Sequence, residues 1–200
     1  MSGGRARTVA PGVALAAELF TAFLMWFCVT ILWFGMRGVM ELGGFVATGG
    51  PYAIAHPAPD WIWVVPVSIV TMMICVFANA AAASMLGQDS LMVVLWSVVF
   101  LSLGWNFLEF GFQPPVGQQG AIAWIICGVT FMIMGGAGVL MMFNVGLRNP
   151  AAWRRPADAD LSQYARDTAA YSRRLYIGLN VAVFAAAVAL GAAAFAQVAG

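Results

Sequence analysis

The first long apolar stretch of the chain covers residues 12–36 and reads GVALAAELFTAFLMWFCVTILWFGM. Glu18 is its only charged residue, and the stretch exceeds the roughly 20 apolar residues that a helix needs to cross a bilayer core about 30 Å thick. It is also too long for the apolar region of a signal peptide, and no A-x-A-like cleavage site directly follows it. We therefore expect a transmembrane helix here.

Four further stretches meet the same criterion, at residues 61–86, 91–112, 121–146 and 177–198. The whole composition agrees, since 62% of the 200 residues are hydrophobic, 8% are charged and the mean hydropathy is +0.89. Soluble domains are about a quarter charged, so an ordinary cytosolic enzyme is excluded. The sequence predicts an all-α integral membrane protein, a single domain over residues 1–200 built as a bundle of five transmembrane helices.

The distribution of arginine predicts how the bundle lies in the membrane. Five spans put the N-terminus, the turn at 87–90 and the segment 147–176 on one side, and eight of the nine basic residues lie there, whereas Arg37 lies on the other. By the positive-inside rule the N-terminus is cytoplasmic and the C-terminus external. All nine are arginines, and together with the many alanines and glycines this indicates a GC-rich bacterial genome and hence the bacterial inner membrane.

Local signals predict how the helices are connected and packed. The short turn at 87–90 favours an antiparallel hairpin of the second and third spans. Asp160 with Gln163 has capping-box spacing, and no Gly or Pro follows before Gly178, so the last helix is predicted to run from about residue 161 to 196 and to extend into the cytoplasm. The small residues of the fourth and fifth spans predict that these pack closely against each other or against a neighbouring chain.

Polar residues within the spans are the first candidates for function, because ionisable groups are costly in a bilayer. Glu18 lies at the predicted depth of Asn79, Asn144 and Asn180, which would form an inner polar layer. On the third span, one helical face carries Ser102, Asn106, Glu109 and Gln113. On the second, a similar stripe carries Ser68, Thr71, Cys75 and Asn79. The two stripes could face each other, either as interhelical hydrogen bonds or as a polar cavity open to the outside.

The predicted external face gathers a second group of candidates. Glu41, His56, Asp60 and Glu109 offer oxygen and nitrogen ligands to a hard or borderline metal ion. The same carboxylates could instead form salt bridges with Arg37, the only arginine predicted on that face of a chain without lysine. The glycine-rich loop between residues 37 and 60 could fold back as a re-entrant cap. The metal site and the salt bridges are both open on the sequence alone.

Other chemistry is restricted by what the sequence lacks. A single histidine excludes a haem ligated by two histidines of this chain, and the three cysteines show no C-x-x-C pair. A net charge of +1 argues against nucleic-acid binding. No G-x-S-x-G, H-E-x-x-H or Walker motif is present, so a catalytic role would depend on the external metal ligands and we expect none.

Three functions therefore remain, in this order. The first is a non-catalytic polytopic subunit or scaffold of a larger membrane assembly, in contact with the lipid bilayer and with other membrane subunits or copies of itself. The second is a small oligomeric channel or transporter with a polar path near Glu109. The third is a membrane metalloenzyme component with an external site made of Glu, Asp and His side chains.

Overall fold

The computed structural model describes residues 9–41, 58–86, 88, 92–114, 122–148 and 171–200, and the following statements concern these residues. Within them the chain is all-helical, with one turn of 3-10 helix at Asp60–Trp63 and no strand. The long helices are α1 (Pro11–Glu41), α2 (Val64–Met85), α3 (Met92–Phe112), α4 (Ile122–Arg148) and α5 (Arg173–Ala199). All five are long and apolar enough to cross a membrane, which confirms the five predicted helices as candidate spans.

Helix α1 is the centre of the bundle. α2 and α5 pack along it, α3 contacts it over a smaller surface, and α4 packs on α3. An apolar cluster joins four helices at mid-height, with Met25 and Val29 of α1, Cys75 of α2, Leu95 of α3 and Ala187 of α5. The helices thus form two groups, α1–α2–α5 and α3–α4, which meet where α3 lies against α1.

The second and third spans were predicted to pack against each other as a hairpin, and this prediction is wrong. α2 lies along α1, and α3 lies mainly along α4. A short turn fixes only where two helix ends meet, whereas side chains decide which faces pack. The buried polar side chains of α2, Ser68 and Asn79, belong to its packed face, and Asn79 reaches α1.

Glycines explain why α3 packs mainly against α4. A methyl group added at Gly104 of α3 would lie 2.9 Å from the amide nitrogen of Met132, and one added at Gly128 of α4 would lie 2.9 Å from that of Leu108. The two backbones approach so closely because neither position has a side chain. The prediction that the small residues of the fourth span pack against the fifth is therefore corrected, since they pack against α3.

The small residues of α5 serve its contact with α1. A methyl group at Gly191 would lie 3.0 Å from both the carbonyl oxygen of Phe27 and the Cβ of Thr30. Ala187 is fully buried in the central apolar cluster. Close backbone approach was thus predicted correctly for this helix, but its partner is α1.

The last helix begins later than the sequence predicts. Ser172 is extended, with ψ of 141°, and its hydroxyl oxygen accepts a hydrogen bond from the backbone N–H of Leu175 at 3.3 Å. A serine in this role starts a helix, so α5 begins at Arg173 and no continuous helix runs from residue 161 to 196. The capping residues predicted for that longer helix, Asp160 and Gln163, lie outside the described residues.

Candidate functional site

The Glu18 carboxyl group is the most deeply enclosed ionisable side chain that the structure describes. It lies seven residues into α1, about 10 Å from the helix start, and only 1% of the residue is exposed. The side chains around it come from α2 and α5, which pack on α1 from either side. We call Glu18, Thr21, Asn79, Tyr176 and Asn180 the Glu18 cluster.

Three side chains donate hydrogen bonds to this carboxyl group. The Tyr176 hydroxyl donates to Oε1 at 2.8 Å, and the Asn79 amide donates to the same oxygen at 3.3 Å. The Asn180 amide donates to Oε2 at 3.3 Å. Since the donors belong to α2 and α5, one carboxyl group of α1 ties three helices together.

The Asn79 amide also secures the backbone around Glu18. It lies 3.0 Å from the Glu18 carbonyl oxygen and 3.2 Å from the Thr21 hydroxyl. Asn79 is itself 2% exposed, and Asn180 is 4% exposed. The carboxyl group and its three donors are therefore shielded from solvent by the chain itself, and these donors are uncharged.

The inner polar layer predicted from depth is found in part. The structure brings Glu18, Asn79 and Asn180 together, whereas the side chain of Asn144 lies outside the described residues. Sequence reasoning missed Tyr176, which makes the shortest bond to the carboxyl group. Its spacing of four from Asn180 places both on one face of α5, and that spacing was the available signal.

The second polar centre surrounds Arg37, near the other end of α1. Its guanidinium group binds both carboxylate oxygens of Glu109 on α3, with Nη1–Oε2 at 3.0 Å and Nη2–Oε1 at 2.9 Å. Its Nε lies 3.3 Å from Oε1 of Glu41. The group also lies over the rings of Trp33 and Phe110, at 5.6 and 5.7 Å from their centroids. We call Arg37, Glu41 and Glu109 the Arg37 cluster.

Glu41 and Glu109 thus form salt bridges with Arg37, which is the second of the two alternatives left open by the sequence. Asp60 starts the short 3-10 turn before α2, and His56 lies outside the described residues. Among the residues that are described, no group of three or more His, Cys, Asp or Glu side chains could hold a metal ion. A metal site that includes His56 therefore stays a prediction.

The four polar residues predicted on one face of α3 have separate surroundings in the structure. The Ser102 hydroxyl donates to the carbonyl oxygen of Val99 on its own helix, and Gln113 is exposed just beyond the helix end. Asn106 is fully buried, and neither polar atom of its amide has a hydrogen-bond partner in the described structure. The stripe predicted on α2 is not its counterpart, because the Asn79 end of that stripe bonds to α1.

The two clusters lie at opposite ends of the bundle. Glu18 and Arg37 are 19 residues apart on α1, which corresponds to about 28 Å. Between them the buried side chains of α1 are mainly apolar, among them Met25 and Val29 of the central apolar cluster, and the buried Thr30 hydroxyl donates to the Trp26 carbonyl oxygen of the same helix. Through the described part of the chain, apolar packing therefore separates the two groups of charges.

The architecture places the chain in the class of multi-pass helical membrane proteins, with five candidate spans in the described residues. Comparison with known proteins takes this no further, because no family model, no curated protein and no solved structure matches the chain.

Proposed function

We propose that the chain is a non-catalytic polytopic subunit or scaffold of a larger membrane protein assembly. The observation that carries this proposal is that the ionisable groups Glu18 and Arg37 bond to side chains of neighbouring helices. Glu18 ties α1 to α2 and α5, and Arg37 ties α1 to α3 through Glu109. Since the buried side chains between these ties are mainly apolar and include no charged group among the described residues, the charges support a fixed helix arrangement better than a transport path.

An exposed row of alanines on α5 offers a surface for a partner helix. The row lies opposite the face that packs on α1 and consists of Ala182, Ala185, Ala189 and Ala193. Small side chains let another helix approach closely, and such faces are frequent where transmembrane helices associate. The partners that we propose are other membrane subunits or further copies of this chain, within the lipid bilayer and without nucleic acid.

A steric test of the alanine row uses the full chain extracted from its own membrane in mild detergent. We expect stoichiometric co-purification of other membrane subunits, and we expect Ala185→Leu with Ala189→Leu to abolish it because leucine keeps a neighbouring backbone at a distance. The matched control is the same substitution at Ala78 of α2 and Ala137 of α4, which are also exposed. The control protein should keep its partners.

Two other outcomes would replace the scaffold proposal. A chain that purifies only with copies of itself, and whose reconstituted ion flux is lost in Glu109→Gln, would support the channel or transporter. A stoichiometric metal ion that is lost in the same variant would support the metalloenzyme component. Either result would show that Glu109 does more than bind Arg37.

We further propose that the protein lies in the bacterial inner membrane with its N-terminus cytoplasmic, because of the arginine distribution. Alkaline phosphatase, which is active only outside the cytoplasm, reports this when fused to truncated chains. Fusions after Pro114 and after Gly200 should be active, and a fusion after Gln88 should be inactive. The reverse pattern would overturn the orientation and leave the five spans unaffected.

A further inference from the structure

The side-chain amide of Asn106 is the exception among the buried asparagines that the structure describes. Asn79 and Asn180 are 2% and 4% exposed, and both donate hydrogen bonds to the Glu18 carboxyl group. Asn106 is 0% exposed, and neither its amide nitrogen nor its amide oxygen has a hydrogen-bond partner in the described structure. An amide buried in this way loses its hydrogen bonds to water without gaining others, which destabilises the packed arrangement around it.

Asn106 lies on the side of α3 that faces α1. Gly104 and Leu108, two residues before and after it, both lie against the backbone of α4, as the glycine contacts with Met132 and Gly128 show. Residues two apart lie about 200° apart around a helix, so Asn106 points away from α4. The other helix that packs on α3 is α1. Since Asn106 is fully buried, its amide lies within the contact between α1 and α3.

This contact joins two helix groups that are each held more firmly within themselves. The α1–α2–α5 group contains the Glu18 cluster, with hydrogen bonds from α2 and α5 to α1. The α3–α4 group contains the close backbone approach at Gly104 and Gly128. The surface between α1 and α3 is smaller than either of these. It is therefore the place in the described bundle where one group can move against the other with the least loss of packing.

The Arg37–Glu109 ion pair lies less than one helical turn from Asn106. Glu109 follows Asn106 by three residues, which is about 4.5 Å along the helix axis, and the side chains of the pair are 29% and 30% exposed. In the other direction, Val99 precedes Asn106 by seven residues, or about 10 Å, and belongs to the central apolar cluster. The shortest way for water to reach Asn106 therefore passes the ion pair, and the apolar cluster closes the way beyond it.

We propose that the α3–α4 group opens away from α1 at the Arg37 end and admits water to Asn106, and that the Arg37–Glu109 ion pair keeps this joint closed. The closed form is the one that the structure describes. In the open form, water satisfies the Asn106 amide and solvates both charges, while the apolar cluster of Met40 with Phe110 separates. The opening ends at the central apolar cluster, so it is a water-filled pocket and does not connect the two sides of the membrane.

Two effects reduce the free-energy cost of opening. Both polar atoms of the Asn106 amide gain hydrogen bonds with water that they lack in the closed form. The ion pair is already partly exposed, so the charges of Arg37 and Glu109 lose little when water replaces their contact. Local openings of this kind take place where packing is limited and polar groups are poorly satisfied, and both conditions meet between α1 and α3.

Exchange of side-chain amide protons with water tests the opening in the unmodified sequence. The full chain, with isotope-labelled asparagine and in lipid nanodiscs, gives separate nuclear magnetic resonance signals for Asn79, Asn106 and Asn180. Burial alone predicts the slowest exchange at Asn106. We expect Asn106 instead to exchange about tenfold faster than the other two, because an amide exchanges only when water reaches it. The signal that is missing in Asn106→Leu identifies this residue.

A variant of the ion pair tests what keeps the joint closed. Arg37→Met should make the exchange at Asn106 about fivefold faster, because it removes a tie between α1 and α3. The exchange at Asn79 and Asn180 should not change, since both lie at the opposite end of the bundle. Glu41→Gln is the matched control. It removes a carboxylate from the same guanidinium group but within α1, so exchange at Asn106 should stay as it was.

Spin labels on exposed residues measure the movement of the helix groups directly. One pair of labels, at Trp63 before α2 and Ile122 of α4, lies at the end with the ion pair, and a control pair, at Met85 of α2 and Leu140 of α4, lies towards the other end. Double electron–electron resonance should show an additional longer distance for the first pair alone. This component should disappear in Asn106→Leu, because an apolar side chain gains nothing from water.

Three results would overturn the proposal. One is exchange at Asn106 that is as slow as at Asn79 and Asn180. Another is fast exchange that Arg37→Met leaves unchanged, which would identify a permanently bound water molecule in a joint that stays closed. The last is a single distance for both pairs of labels. None of these results depends on whether the chain is a subunit of a larger assembly.

Discussion

Replacing Gly128 with alanine is expected to destabilise the protein by about 2 kcal/mol, whereas the same replacement at Gly136 of the same helix should be neutral or slightly stabilising. The added methyl group at Gly128 would lie 2.9 Å from the backbone nitrogen of Leu108 and 2.7 Å from its Cγ. A backbone atom cannot move aside as a flexible side chain can. The α3–α4 pair must therefore separate along part of its length, with loss of packing on both sides.

Gly136 is a closely matched control. A methyl group there would meet nothing within 4 Å, so only the helix propensity changes. Alanine is favoured over glycine in a helix by up to about 1 kcal/mol, and this gain applies at both positions. The difference between the two variants therefore measures the close approach of α3 and α4 without the effect of backbone flexibility.

Unfolding in detergent micelles, followed by the helical circular dichroism signal, gives the comparison. Equal stability of Gly128→Ala and Gly136→Ala would contradict the close contact between α3 and α4. As a further check, Gly135→Ala should behave like Gly128→Ala, since its methyl group would lie 2.8 Å from the backbone nitrogen of Leu101.

Hydropathy was enough to predict the five helices, but it carries little information about which helices are neighbours. Length and apolar character alone mark a span, so residues 12–36 and the other four stretches were found correctly. Which helices pack together depends on how well their surfaces fit. Here the fit depends on glycines such as Gly104 and Gly128, where the missing side chain leaves room for the neighbouring backbone. A glycine in a sequence shows that close approach is possible without showing which backbone approaches.

The Glu18 cluster was predictable in the same partial way. Depth along each span placed Asn79 and Asn180 at the level of Glu18, and the structure brings all three into contact. Tyr176 was missed because a tyrosine near a helix end is equally typical of the membrane interface. The start of α5 was misplaced for a related reason, since a capping serine at position 172 competes with the capping signal at Asp160.

The Arg37–Glu109 ion pair should contribute a measurable coupling between the two helix groups. We expect Arg37→Met to cost about 2 kcal/mol, because it leaves the half-buried Glu109 carboxylate without its donors. The two side chains are 29% and 30% exposed, which limits the effect relative to a fully buried pair. Removing both partners, in Arg37→Met with Glu109→Leu, should cost clearly less than the sum of the single changes.

Glu41 supplies the internal comparison for this double-mutant cycle. Its side chain is 59% exposed and meets the same guanidinium group, so Glu41→Gln should change stability by no more than about 0.5 kcal/mol. Arg37 and Glu109 join α1 to α3, whereas Arg37 and Glu41 both lie on α1. A coupling energy near zero for Arg37 and Glu109 would mean that apolar packing holds α3 to α1 without the ion pair, through the cluster of Met25 with Leu95 and the cluster of Met40 with Phe107 and Phe110. A coupling of about 1 kcal/mol or more would show that the ion pair fixes the α3–α4 group against the rest of the bundle.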